Sequence, residues 1–338
     1  MLNNKKYHFF FLSWLGCLIT LVALIIVVGG LTRLTESGLS ITKWELFSGT
    51  FPPLSSDAWE KYFNQYKEIP QFMLLNSKMS LDQFKTIFLW EYYHRLLGRI
   101  IGLMFFIPFL FLIFRDVLTK NLIIKLSFLF VLILLQGLIG WYMVVSGLTD
   151  NVSVSHYRLA FHLFTAFIII SSLLWIFMNH YTNQNKKFLQ INSNFLYLKM
   201  LIFLIFTQII CGALVSGLDA GKIYQTWPLM NGNYFPNDYT LNDFFNLNNP
   251  SFVQFVHRNI AYLIFFLTIY LGFFIYINKV KKLYSSFLFF SLIIFLQILL
   301  GISVLFSDSN IFFASLHQIS SIFLIACSLN LYHRSISS

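Results

Sequence analysis

Charge is what this chain most conspicuously lacks: Asp, Glu, Lys and Arg together make up 11% of its residues, and that scarcity excludes an ordinary water-soluble domain. Cysteine is scarce as well. Cys17, Cys211 and Cys327 are the whole complement, and each falls within a long apolar run, so a disulfide framework is excluded and helix packing is their expected role. No grouping of cysteine, histidine and acid has the spacing of a zinc site. The alternation of polar and apolar residues that a membrane barrel requires is missing too; Phe128 to Leu135 and Leu263 to Tyr270 are continuous apolar runs instead. No Arg-rich presequence precedes the first apolar run and no small-residue cleavage site follows it, so that run is expected to be retained, in a bacterial plasma membrane rather than an organelle.

What is present is a chain of 338 residues, 57% hydrophobic and 19% aromatic. Apolar stretches long enough to cross a bilayer recur at approximately 10 to 30, 89 to 114, 122 to 146, 157 to 178, 196 to 217, 253 to 277, 284 to 306 and 311 to 332. The expected fold is therefore an all-α polytopic membrane protein of eight transmembrane helices. The net charge of +10 is sorted by loop. Lys5 and Lys6, Arg115, Lys120 and Lys125, Lys186, Lys187 and Lys199, Lys279, Lys281 and Lys282, and Arg334 lie in alternate connections or at the termini. The other connections carry Asp219, Asp238, Asp243 and Asp308 against Lys222. The positive-inside rule puts both termini in the cytoplasm, and no nucleic-acid partner is needed to explain the basic excess.

The first four spans repeat in the last four. Glu91-Tyr-Tyr-His94-Arg95 corresponds to Gln254-Phe-Val-His257-Arg258, Gln136-Gly-Leu-Ile-Gly140 to Gln297-Ile-Leu-Leu-Gly301, and Ala160-Phe-His162 to Ser315-Leu-His317, at offsets of 163, 161 and 155 residues. An even number of spans per unit makes this a parallel repeat. It predicts two pseudo-symmetric four-helix bundles, residues 1–185 and 186–338. Two long external connections, 31 to 88 and 218 to 252, remain, the first with an amphipathic stretch from Trp59 to Tyr66 suited to the membrane interface.

Four of the eight histidines, His8, His156, His180 and His333, lie in or beside loops and are expected to be exposed or to snorkel. The other four, His94, His162, His257 and His317, stand at matched depth, about five residues inside the outer end of each even-numbered span. Ionisable groups inside a membrane are costly and mark sites. Two level imidazoles per bundle suit the axial positions of a six-coordinate haem, whereas zinc wants a tighter cluster and a proton relay runs across the membrane. The pairs His94 with His162 and His257 with His317 thus predict two haem sites near the outer face. Arg95, Arg158 and Arg258 are candidate propionate partners, with interfacial snorkelling as the bland alternative. Glu91 is the informative asymmetry, since its counterpart is Gln254. It is either the partner of Arg95 in an i to i+4 ion pair or an acid used in chemistry.

Taken together, Gly29-Gly-Leu-Thr-Arg-Leu-Thr-Glu-Ser-Gly-Leu-Ser-Ile-Thr42, Glu91-Tyr-Tyr-His-Arg-Leu-Leu-Gly98, Tyr157-Arg-Leu-Ala-Phe-His162, Gly212-Ala-Leu-Val-Ser-Gly-Leu-Asp-Ala-Gly221, Tyr224-Gln-Thr-Trp-Pro-Leu-Met230, Gln254-Phe-Val-His-Arg258 and His317-Gln318 resemble the haem A synthase family. The resemblance covers nearly the whole chain. It implies oxidation of a ring methyl of haem O to the formyl group of haem A for haem-copper oxidases, with haem O synthase and oxidase assembly factors as partners and homo-oligomerisation open. It further implies that His94 and His162 hold the substrate haem, that His257 and His317 hold a haem B cofactor, and that Glu91 is the functional acid. With no cysteine between residues 31 and 88, the chain resembles the branch shared with mitochondria. If both axial positions of the substrate are filled, attack on the methyl requires ligand release or electron removal from the ring, and Glu91 could then stabilise a developing cation or accept a proton. A bis-histidine cytochrome b exchanging electrons with quinone is the rival reading, but a transmembrane carrier would place its haems near opposite faces.

Overall fold

The computed structural model describes residues 2–45, 48–149, 152–188, 196–238 and 245–336. Asp243, one of the acidic loop residues, lies outside them. Eight helices among the described residues are long and apolar enough to cross a membrane. They are α1 (His8–Leu34), α4 (Leu81–Phe114), α5 (Lys120–Val145), α6 (His156–Tyr181), α7 (Leu196–Gly217), α8 (Pro250–Ile277), α9 (Tyr284–Phe306) and α10 (Ile311–Ser335), with two short helices, α2 (Ser56–Lys67) and α3 (Pro70–Leu75), in the first long loop. Among the described residues there is no β-strand. In lipid a backbone amide has no water to bond, so an apolar run of this length satisfies its own hydrogen bonds as helix.

Contacts run α1 to α4, α4 to α5, α5 to α6 and α6 back to α1, and likewise α7 to α8, α8 to α9, α9 to α10 and α10 back to α7. α6 also packs on α7 and α10, and α10 on α1. One continuous apolar core, from Phe11 and Leu18 through Phe105, Phe167 and Ile205 to Phe290 and Ile325, therefore runs through both halves of the chain. The α4/α5 and α8/α9 seams are the loosest between neighbours in sequence within their halves.

Two sequence expectations need correction. The second span begins at Leu81, eight residues earlier than hydropathy suggests, because its first turns carry the polar residues Asp82, Gln83, Lys85 and Thr86. A capping box starts it: the Ser80 hydroxyl accepts from the Gln83 amide while the Gln83 side chain accepts from the Ser80 amide. His94 is consequently far from the helix start, whereas His162, His257 and His317 lie within about two turns of theirs. The second correction concerns His180 and His333, which are buried rather than exposed. The ring of His180 packs on Phe11 and its Nδ1 meets Ile176 O at 2.9 Å. His333 Nε2 lies 3.0 Å from Asn179 Oδ1, and Lys186 Nζ donates to His333 O at 2.7 Å. The segment after α6 folds back onto the end of α10, where Lys186 also exchanges hydrogen bonds with Asn179. Burial there pulls the Lys186 ammonium below its ordinary pKa.

The amphipathic stretch is helical as expected. α2 buries Phe63 and Tyr66 against Phe84 and Phe88 of the projecting end of α4. Tyr62, on the same helix, donates to Glu45 Oε2 at 2.9 Å, and burial together with that carboxylate pushes its phenol up to about 12.

Candidate functional site

A single cavity of about 2110 Å³ lies between the helices and is lined by residues from all eight membrane spans. All four span histidines line it. The rings of His94 and His162 are 6.4 Å apart between centres, and those of His257 and His317 are 6.5 Å apart. Imidazoles bound through nitrogen at about 2 Å on opposite sides of one metal ion put their centres roughly 6 Å apart, so the spacing of either pair suits the two axial positions of a six-coordinate iron. All four rings are buried in the cavity wall: those of His94, His257 and His317 meet the backbone of Ile25, Gln208 and Gln297, each one turn before a glycine of the neighbouring helix, and His162 Nδ1 has no hydrogen-bond partner. Ionisable groups held at matched positions inside a membrane are characteristic of a site built for a ligand.

Each ring rests on a glycine of the neighbouring helix. A Cβ placed on Gly29 of α1 would fall 2.8 Å from His94 Cε1, one on Gly140 of α5 3.0 Å from His162 Cε1, one on Gly212 of α7 3.2 Å from His257 Cε1, and one on Gly301 of α9 3.1 Å from His317 Cε1. Any side chain there would displace the imidazole. The repeated glutamines act one turn away: Gln136 Nε2 donates to His162 O at 2.9 Å and Gln297 Nε2 to His317 O at 3.0 Å. Thr165 and Ser320 each bond both to that carbonyl and to the glutamine side chain. In both halves, then, the backbone of the second histidine is tied to the helix that carries its glycine.

The residues flanking His94 and His257 hold the two long loops. Glu91, 3% exposed, accepts from Ser40 Oγ at 2.7 Å and from the Ile41 amide at 2.8 Å on one oxygen. Its other oxygen accepts from Arg95 Nη2 at 2.5 Å and Nε at 3.1 Å. Arg95 also donates to Ile41 O at 3.0 Å and stacks on Trp44. In the second half Gln254 Nε2 donates to Tyr224 O at 2.9 Å, and Arg258 donates to Tyr224 O at 2.7 Å and Thr226 O at 2.8 Å. The loop beyond is pinned through Asp238, which accepts from Tyr224 and Ser251 at 2.6 Å each. Burial raises the Asp238 carboxyl, but those hydrogen bonds outweigh it and hold the group below the ordinary carboxylate range. The i to i+4 ion pair of Glu91 and Arg95 is thus real, and both arginines have protein partners while still lining the cavity. Arg158 stacks on Tyr142 and is not among the lining residues.

Residues 12–329 match the family model described as cytochrome oxidase assembly protein. A protein of Pelagibacter ubique (strain HTCC1062) named haem A synthase is 46% identical over 327 residues, covering 96% of both chains. Its namesake in Nitrosomonas eutropha is 40% identical, covering 94% of this chain and 91% of that one. The chain belongs to the haem A synthase family. A third relative of that name, from Azorhizobium caulinodans, is 47% identical over 75% of this chain and 73% of its own.

Two features of this haem A synthase family member escaped sequence reasoning. Arg33, inside the longest family motif, reaches from α1 to the outer end of α7, donating to Ser216 O at 2.7 Å and pairing with Asp219 at 3.0 Å. Gln318, next to His317, donates to Ile26 O of α1 at 2.8 Å. Its side chain fills the space beside Gly30, where a Cβ would overlap it. Gly29 therefore seats His94 while Gly30 admits the neighbour of His317, so α1 touches the surroundings of both pairs. The only sequence signal was the Gly29-Gly30 doublet, which names no partner.

Proposed function

We propose that this multi-pass bacterial membrane protein is a haem A synthase that oxidises the ring methyl of haem O to a formyl group. The observation that carries the reading is the pair of imidazole pairs at 6.4 and 6.5 Å in one cavity, made unequal by Glu91 in one half and Gln254 in the other. In this reading residues 1–185 form the reacting half and residues 186–338 the electron-transfer half. His94 and His162 bind the substrate haem, and Gly29 and Gly140 leave room for their rings. His257 and His317 bind haem B, which supplies reversible one-electron chemistry when bound. Gln254 and Arg258 hold the 224–226 segment over the second pair, and Arg95 and Arg258 line the space where propionates would lie. Glu91 keeps a negative charge at the edge of the first site, where it stabilises positive charge developing on the substrate or takes a proton.

The basic loops face the cytoplasm of an inner membrane, which sets both sites toward the periplasmic side. Haem O synthase supplies the substrate, and assembling oxidases take the product. The rival electron carrier is disfavoured because both pairs line one cavity. Expression of the full chain in a host that makes haem O is expected to yield haem A in extracted pigment; haem O alone, from folded and haem-loaded protein, overturns the reading. Leucine at Gly140 or Gly301 is expected to displace the adjoining imidazole and lower haem occupancy of that site alone by about 10- to 100-fold, the range seen when groups supporting a metal ligand are lost. Loss from both sites at once would show that the glycines serve general packing instead.

A further inference from the structure

The two halves differ along the cavity wall below the histidines. In the first half the wall of α4 carries Gly98 and Gly102, four and eight residues beyond His94, and α5 carries Gly137, three residues before Gly140. At 1.5 Å per residue Gly98 and Gly102 lie about 6 and 12 Å deeper in the membrane than His94, and Gly137 about 4.5 Å deeper than Gly140. All three line the cavity. Glycine is costly inside a helix, and in membrane helices it normally recurs where another helix packs closely. Here no helix does. A Cβ on Gly102 or Gly137 would meet nothing within 4 Å, and one on Gly98 would only touch Ile25 at 3.8 Å.

The repeat supplies the comparison. Applying the offsets of 163 and 161 residues, the counterparts of Gly98, Gly102 and Gly137 are Ala261, Phe265 and Ile298, and these also line the cavity. The wall is glycine at all three positions in one half, whereas in the other a methyl group at Ala261 and the large side chains of Phe265 and Ile298 occupy it. At the upper end of the open wall stand His94 and His162, their rings 6.4 Å apart, so the groove leads away from the candidate haem site. Its lower end lies along the loose α4/α5 seam, where Gly137 is exposed.

We infer that Gly98, Gly102 and Gly137 form the groove that takes the long isoprenoid chain of the substrate haem, and that Ala261, Phe265 and Ile298 close the equivalent groove so that the second site admits only a haem with short substituents. This rests on the haem A synthase reading, because haem O differs from haem B in carrying an isoprenoid chain where haem B has a vinyl group. Apolar side chains such as Ile101, Ile133 and Leu134 line the cavity together with the glycines, as a hydrocarbon tail requires. The glycines thereby select which haem enters which half.

The test exchanges the wall residues in the full chain, purified from a host that makes both haem B and haem O, with isoprenoid haems and haem B measured in the pigment extract. Gly102→Phe with Gly137→Ile is expected to lower the isoprenoid haem content about tenfold or more, since tenfold corresponds to the burial of only roughly two methylene groups. Haem B should occupy the vacated His94 and His162 pair, and the spectrum of the second site should persist, which also reports folding. Phe265→Gly with Ile298→Gly is expected to raise the isoprenoid haem content above one per chain. Unchanged isoprenoid haem in either exchange overturns the inference, as does loss of every haem from the first site. Failure of the underlying reading looks different: His94→Ala would then leave the isoprenoid haem content of the parent chain untouched.

Discussion

Alanine at His257 or His317 is expected to empty the second site of haem and stop turnover, while alanine at His94 or His162 stops turnover but leaves the second site spectrally intact. Loss of groups that merely support a metal ligand costs 10- to 100-fold in affinity, so loss of the ligand itself should exceed about 100-fold at the affected site. The expected selectivity follows from the geometry. Each pair is 6.4 or 6.5 Å across, with its own two glycines and its own glutamine tie. Pigment quantitation and absorbance spectra of the purified variants check this. A single substitution that removes both haems, with the protein still folded, would mean that the four histidines form one site.

Glutamine at Glu91 is the second substitution with a large expected effect. Four donors converge on this carboxylate: Ser40 Oγ, the Ile41 amide, and Nε and Nη2 of Arg95. An amide offers one oxygen and two further donors, so it must face donors with a donor on one side and leaves the Arg95 charge without its counter-ion. Breaking a buried pair in this way costs about 3–5 kcal/mol, enough to loosen the Ser40–Ile41 segment over the cavity and lower the melting temperature. Turnover should fall by at least about 100-fold, with the second haem retained. Arg95→Gln separates anchoring from chemistry, because it removes the pair yet keeps a carboxylate bonded to Ser40 and Ile41. Glu91→Gln should be slower than Arg95→Gln by about tenfold or more in kcat. Equal losses would reduce Glu91 to an anchor for the loop.

How much of this was legible beforehand varied with the range of the interaction. The eight spans were readable because burial in lipid is a local property of a run of side chains. Even there hydropathy missed the first eight residues of α4, four of which are polar; the Ser80 and Gln83 capping box was the available signal. The Glu91 and Arg95 pair was legible as i to i+4 spacing on one helix. Its anchoring of Ser40 and Ile41, some fifty residues away, was not. His180 and His333 looked exposed because they lie near span ends; they are buried because Phe11 of α1 packs on the first and the segment around Lys186 folds back onto the second. The repeat marked Gln136 and Gln297 as equivalent without revealing that each grips the carbonyl of a histidine on the next helix.

By itself the sequence determined the all-helical membrane fold, the duplication, and four histidines of which two recur in each half. Each follows from short-range physics: lipid forces an apolar run to bond its own backbone, and an imidazole within such a run must have a purpose. Only the tertiary structure decided that both pairs share one cavity, that each ring is seated on a glycine, and that the wall below is open in one half and closed in the other. Between helices in lipid there is no hydrophobic driving force to read from composition. Association there depends on the fit of facing surfaces and a few hydrogen bonds, which no single segment of sequence contains.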